Sequence, residues 1–263
     1  MQSRSLVAFN TALASDNKIH DDVTARKFGF TGGLVPGVEV YAYLTGGPAR
    51  EWGEQWLTSG SMSARFSKPA YDGETVTVEF DETTGEARLI NPAGEVVSTG
   101  QAAMPEDPAP APQLADYPTA ALPDERPAAS AQSLAAGQIL GSVEVQFPDD
   151  KALTYLRDVS EDLPIFQGEQ IAHPGWILGL ANTILASNVV LGPWIHVGST
   201  VQNHGLIRNG ATVSIRGTTK AEYEKSGHRF TELDLAVFAD DEPVAHISHT
   251  SIYLPRQVAE ASA

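Results

Sequence analysis

Leu34-Val35-Pro36-Gly37-Val38-Glu39-Val40-Tyr41-Ala42-Tyr43-Leu44 opens an apolar stretch on a Pro-Gly pair. Ala172-His173-Pro174-Gly175-Trp176-Ile177-Leu178-Gly179-Leu180-Ala181 repeats the device 138 residues later. Proline suits the first turn of a helix, where its missing N–H costs nothing. The residues after each pair are apolar on nearly every side, so each helix must be wrapped and not merely laid on a surface. A second pair of segments keeps almost the same offset. Tyr71-Asp72-Gly73-Glu74-Thr75-Val76-Thr77-Val78 matches Arg208-Asn209-Gly210-Ala211-Thr212-Val213-Ser214-Ile215 at 137. The chain reads as a duplication.

Upstream of the helices, residues 14–20 lie against residues 160–166 at an offset of 146, so the second copy has the shorter loop before its Pro-Gly. Behind each helix come strand-like runs: 61–69, 74–82, 86–91 and 95–103, then 195–207, 211–224, 228–239 and 243–253. Alternation is plain in Thr75-Val76-Thr77-Val78-Glu79-Phe80 and in residues 231–238, and Asn91-Pro92-Ala93-Gly94 and Asp240-Asp241-Glu242-Pro243 are turn chemistry. An antiparallel sheet folded round a central helix buries such a helix, which predicts an α+β fold. Between the copies, Pro105, Pro108, Pro110, Pro112, Pro118, Pro123 and Pro127 exclude helix interiors and sheet ladders. The expected organisation is a first repeat over 1–104 carrying the active site, a Pro/Ala-rich linker over 105–135, and a second, catalytically degenerate repeat over 136–263.

The chain has 263 residues and no cysteine, which removes disulfides, thiol nucleophiles and cysteine-ligated zinc. A net charge of −16 makes nucleic acid a poor partner. No apolar run is long enough to span a membrane, and residues 1–30 lack a basic start followed by an apolar core. A cytoplasmic protein is expected. His246 and His249 lie three apart on a strand, hence on opposite faces, which argues against a shared metal.

Chemistry concentrates in Ser15-Asp16-Asn17-Lys18-Ile19-His20-Asp21-Asp22, with Gly37 seventeen residues beyond His20. A carboxylate, an imidazole and the first amide of a helix can supply a base, a proton donor and an N–H for a developing oxyanion. A histidine between acids is also an ordinary loop residue, and Pro-Gly is also ordinary turn chemistry. The order and spacing favour the catalytic reading.

On these residues the first half resembles the MaoC-like, (R)-specific enoyl-CoA hydratase family, and the duplication resembles its double hot dog fold. The family signature runs Asp-x-Asn-Pro-x-His, then acidic residues, a loop, and a helix-opening glycine. Asn17 and His20 match the asparagine and histidine, Lys18 replaces the proline, Asp22 fits the downstream acid and Gly37 the glycine. The family aspartate stands five positions before the histidine, where this chain has Ser15. Either the loop closes up by one residue and Asp16 supplies the carboxylate, or that position holds none. Phe166 stands opposite His20 in the second half.

The resemblance implies reversible addition of water to a 2-enoyl thioester, with Asp16, His20 and Gly37 catalytic and Asn17 fixing the loop. No metal or redox cofactor is implied; coenzyme A or a carrier-bound pantetheine is the substrate handle. Val38, Tyr41, Thr45, His173 and Trp176 are the candidate pocket residues, and Arg65 and Lys68 the candidate coenzyme A contacts, with Arg26 and Lys27 an alternative pair. Self-association through sheet edges into a homodimer is expected. Two other readings stay open: a hot dog thioesterase using Glu39, and an acyl-thioester-binding, isomerase or cyclase protein that reuses the cleft.

Overall fold

The computed structural model describes residues 1–168 and 170–261. Ten strands are β1 Gln2–Val7, β2 Ser61–Phe66, β3 Thr75–Phe80, β4 Glu86–Ile90, β5 Val96–Ala103, β6 Val143–Gln146, β7 Ile195–Asn203, β8 Thr212–Lys225, β9 His228–Ala239 and β10 Glu242–Leu254. The helices are α1 Asp22–Lys27, α2 Gly37–Ser59, α3 Asp150–Asp158, α4 Pro164–Gly168, α5 Pro174–Asn188 and α6 Arg256–Ala261. A 3-10 turn over Lys18–His20 precedes α1.

All ten strands form one antiparallel sheet in the order β1-β3-β4-β5-β2-β7-β10-β9-β8-β6. Each half thus contributes the same five-strand arrangement, and the two meet where β2 pairs β7, from Ser61↔Gln202 to Arg65↔Gly198. Alternation decides which face goes in. Val76, Val78 and Phe80 of β3 point inward and are buried, as are Thr231, Leu233, Leu235 and Val237 of β9. The two central helices pack on each other inside the curved sheet. A Cβ on Gly175 would lie 2.5 Å from Ala42 Cβ, so α5 touches α2 through bare backbone. Every residue of Val38–Leu44 is buried, which is what a wrapped helix requires. Beyond Pro48 the helix kinks at Gly53, whose φ of 57° is left-handed.

The expected strand-like runs all form strands: the four of the first half and 195–207 are trimmed at one or both ends, 228–239 is matched, 211–224 shifts by one residue, and 243–253 gains one at each end. Two strands were not anticipated, β1 and β6. Both are sheet edges with largely polar sequences, Gln-Ser-Arg-Ser-Leu-Val and Val-Glu-Val-Gln, and their alternation is shallow, the inner face being only half-buried except at Leu6. Residues 105–135 form no helix or strand but run against the second half. Tyr117 Oη reaches Asp234 at 3.3 Å on the outer face of β9, Leu134 is fully buried, and Ala129 and Val190 pair along the backbone past the end of α5. That cover explains why Phe238, on the outer side of β9, is buried.

Candidate active site

The loop before α1 is built around His20. Its carbonyl accepts from Asn10 Nδ2 at 2.9 Å, and a Cβ on Gly33 would stand 2.1 Å from that oxygen, so only glycine passes there. Asp22 accepts from Gly33 N at 2.8 Å and pairs with Arg26, ordering the loop. His20 Nδ1 lies 2.7 Å from the Leu34 carbonyl and therefore carries the proton, leaving Nε2 as an acceptor. Asn17 Nδ2 approaches that Nε2 at 3.3 Å and also donates to the Trp194 carbonyl at 3.0 Å. Asn17 Oδ1 accepts from Trp194 N, so the loop is clamped to the second half. Burial pushes His20 below its ordinary value of 6.5, against the Leu34 hydrogen bond and the Glu39 charge, which raise it.

The two Pro-Gly helix openings differ in their caps. At α5, His173 Nδ1 accepts from Gly175 N at 3.1 Å, capping the helix. The residue in that place before α2 is Val35, which has no acceptor to offer. Gly37 N–H consequently has no partner among the described residues. A Cβ on Gly37 would stand 2.8 Å from His196 Nδ1 and 3.1 Å from Phe66.

Two hollows meet at His20. A wide cleft of about 880 Å³ is lined by Asp16, Glu39, Arg126 and Lys151 among others. A narrow cavity of about 220 Å³ is lined by Gly37, Phe30, Leu34, Phe66, Ile195 and His196. Asn17, His20, Pro36, Asn182 and Trp194 line both. The site draws on both halves, not on the first alone.

The structure does not bring Asp16 to His20. Asp16 is exposed on the rim of the wide cleft, and the contact to the imidazole is made by Asn17. The buried carboxylate is Glu39, fully enclosed in the first turn of α2. Its Oε1 accepts from Thr11 Oγ1 at 2.7 Å and from Lys151 Nζ at 3.3 Å, while Oε2 has no partner among the described residues. Other expected pocket residues lie elsewhere. Val38 lines the wide cleft, but Tyr41 and Thr45 are core, the Thr45 hydroxyl donating to Ala42 O. His173 and Trp176 line a separate cavity of about 180 Å³ in the second half, where His173 Nε2 sits 3.6 Å from Glu161. Alternation along β2 sends Arg65 to the outer sheet face. Lys68 lines the narrow cavity but pairs with Glu95 at 2.6 Å. Arg26 pairs with Asp22 instead of standing beside Lys27 as a free cluster. Sequence reasoning missed Lys151, Asn182 and His196: Lys151 meets Glu39 from 112 residues away, and Asn182 and His196 reach the site only because the second half packs against the first.

The sequence matches no protein-family model and no curated protein. Structural likeness is extensive. A MaoC-like dehydratase superposes with a TM-score of 0.59 at 12% identity, covering 96% of this chain and 98% of that one. A conserved double-hotdog protein from Mycobacterium tuberculosis gives 0.60 at 15% identity, covering 96% of each chain. A MaoC-domain protein from Chloroflexus aurantiacus gives 0.55 at 13%, covering 97% of this chain and 95% of that one. The chain has the double hot dog fold, and 96% of it superposes on a MaoC-like dehydratase.

Proposed function

We propose that the protein adds water reversibly to a 2-enoyl thioester at the junction of the two hollows. The observation that carries this reading is that the His20 lone pair and the unpartnered Gly37 N–H line one apolar cavity. His20 Nε2 takes a proton from a water whose oxygen bonds to C3. The C2–C3 π pair shifts onto the thioester oxygen, which meets Gly37 N–H. The enolate then collapses and C2 takes the proton back from His20, so one water supplies both the hydroxyl and the hydrogen. Glu39 favours the transient imidazolium through its charge. Asp16 has no role in this scheme. Pantetheine would enter by the wide cleft, where Arg126 and Lys151 stand. The narrow cavity, about 220 Å³ and lined mostly by apolar side chains, would take the acyl chain.

Crotonyl-CoA tests this. Loss of the enoyl absorbance without release of free thiol is expected. His20→Ala should lower the rate by about 10²–10⁴-fold. Thioester hydrolysis is the second reading, favoured by the buried Oε2 of Glu39, which has no partner among the described residues, in a residue that lines the wide cleft. It predicts thiol release that Glu39→Gln abolishes and His20→Ala leaves intact.

A further inference from the structure

His196 plays no part in that hydration scheme, yet its Nδ1 stands 2.8 Å from where a Cβ on Gly37 would lie. It lies on β7 beside the β2 seam, buried, and its Nδ1 has no hydrogen-bond partner among the described residues. It lines the narrow cavity with His20 and Gly37. Phe66 meets its ring edge-on at 4.8 Å, and His249 stacks on it at 4.1 Å, so the ring is held in place.

Behind the ring a chain of hydrogen bonds runs into the core. His196 Nε2 lies 2.8 Å from Ser199 Oγ, Ser199 Oγ 3.0 Å from His249 Nδ1, and His249 Nε2 3.0 Å from Ser251 Oγ. All four residues are buried. Burial pushes His196 well below its ordinary value and His249 to about 3, so each ring carries one proton.

Such a chain is satisfied in two directions. If Ser251 donates to His249 Nε2, then His249 Nδ1–H donates to Ser199 and Ser199 donates to His196 Nε2. His196 Nδ1–H then points into the cavity. Reversed, the cavity sees a lone pair. A thioester oxygen has lone pairs and no proton, so a bound thioester selects the first direction.

We propose that His196 Nδ1–H is a second donor to the thioester oxygen, beside Gly37 N–H, and that Ser199, His249 and Ser251 are positioning residues that fix its tautomer. The assignment rests on the thioester reading of the site. One donor then comes from each half of the chain, and a neutral imidazole donates without having to part with a charge.

His196→Phe keeps an aromatic ring and removes the donor. Its kcat/KM for crotonyl-CoA should fall about 10²–10³-fold. His196→Asn returns an N–H near the Nδ1 position and should recover at least about tenfold of that loss. Two readouts separate bonding from structure. In the His20→Ala protein, bound crotonyl-CoA labelled with 13C at its carbonyl should show a lowered stretching frequency, which moves back toward the solution value when His196→Phe is added. In the same complex the 15N resonance of His196 Nδ1 should be that of a protonated nitrogen, and this holds whether or not the Phe variant folds. An unprotonated Nδ1, or wild-type kcat/KM in His196→Phe with an unchanged carbonyl band, overturns the assignment and leaves the thioester reading standing. Crotonyl-CoA that neither binds His20→Ala nor turns over in the wild type overturns both.

Discussion

Val35 and His173 occupy equivalent places, and that single difference decides which helix amide stays available. Filling the space over that amide should silence it. Gly37→Ala would push a methyl against His196 Nδ1 and Phe66, so turnover of crotonyl-CoA should fall by at least about 10²-fold in kinetic assays, while the fold, read by circular dichroism, survives. Asp16→Asn should change the rate by less than about threefold, because Asp16 is exposed and takes no part in the proposed scheme. A base must be unprotonated to work, and burial holds His20 below 6.5. The acid limb of kcat/KM against pH should therefore fall below 6.5 and vanish in His20→Ala. At this scale the sequence shows half the site. Asn17, His20 and Gly37 stand close enough in the chain for spacing to link them. Glu39 was visible but its burial was not, since Thr11 and Lys151, which enclose it, come from a distant loop and from α3. His196 carries no local mark at all: its meaning comes from Gly37, on the other side of the seam.

Elements were easier to read than sites. β3 and β9 announce themselves because apolar and polar residues alternate along them, and the central helices because their opening turns are nearly all apolar. The edges β1 and β6 are invisible because their inner faces are mostly only half-buried and, in β1, carry polar residues such as Gln2 and Arg4. The linker was legible as non-helical, yet proline content says nothing of what it lies on. How closely helix and sheet approach is set by small residues. A Cβ on Gly47 would stand 2.5 Å from the Phe80 ring, so α2 rests on β3 through bare backbone. Gly47→Ala should destabilise the protein by about 1–3 kcal/mol despite the better helix propensity of alanine, measured as a lower denaturant midpoint.

The whole molecule should be acid-sensitive for a reason built into its core. His196 and His249 are buried and neutral, the second titrating near 3. Below about pH 6.5 the unfolded chain takes up protons that the folded one refuses. Stability is then full above pH 6.5 and falls as pH drops, by about 1.4 kcal/mol per pH unit for each histidine. Glu161 adds to the loss further down: burial works to raise it, but His173 and the Asp162 and Leu163 amides hold it at about 2, so its contribution fades from pH 4.5 toward 2. Thermal melts between pH 7 and pH 4 should show a steady decline in Tm. The β2–β7 junction has a further consequence. Two identical subunits related by a rotation axis must put the same side chain at both helix openings, so whatever seals one seals the other. Covalent fusion lifts that obligation. One opening can be spent on cohesion, closed by its own imidazole, while its counterpart stays bare toward a visitor, and a lone polypeptide thereby achieves a lopsidedness that no symmetric pair can reach.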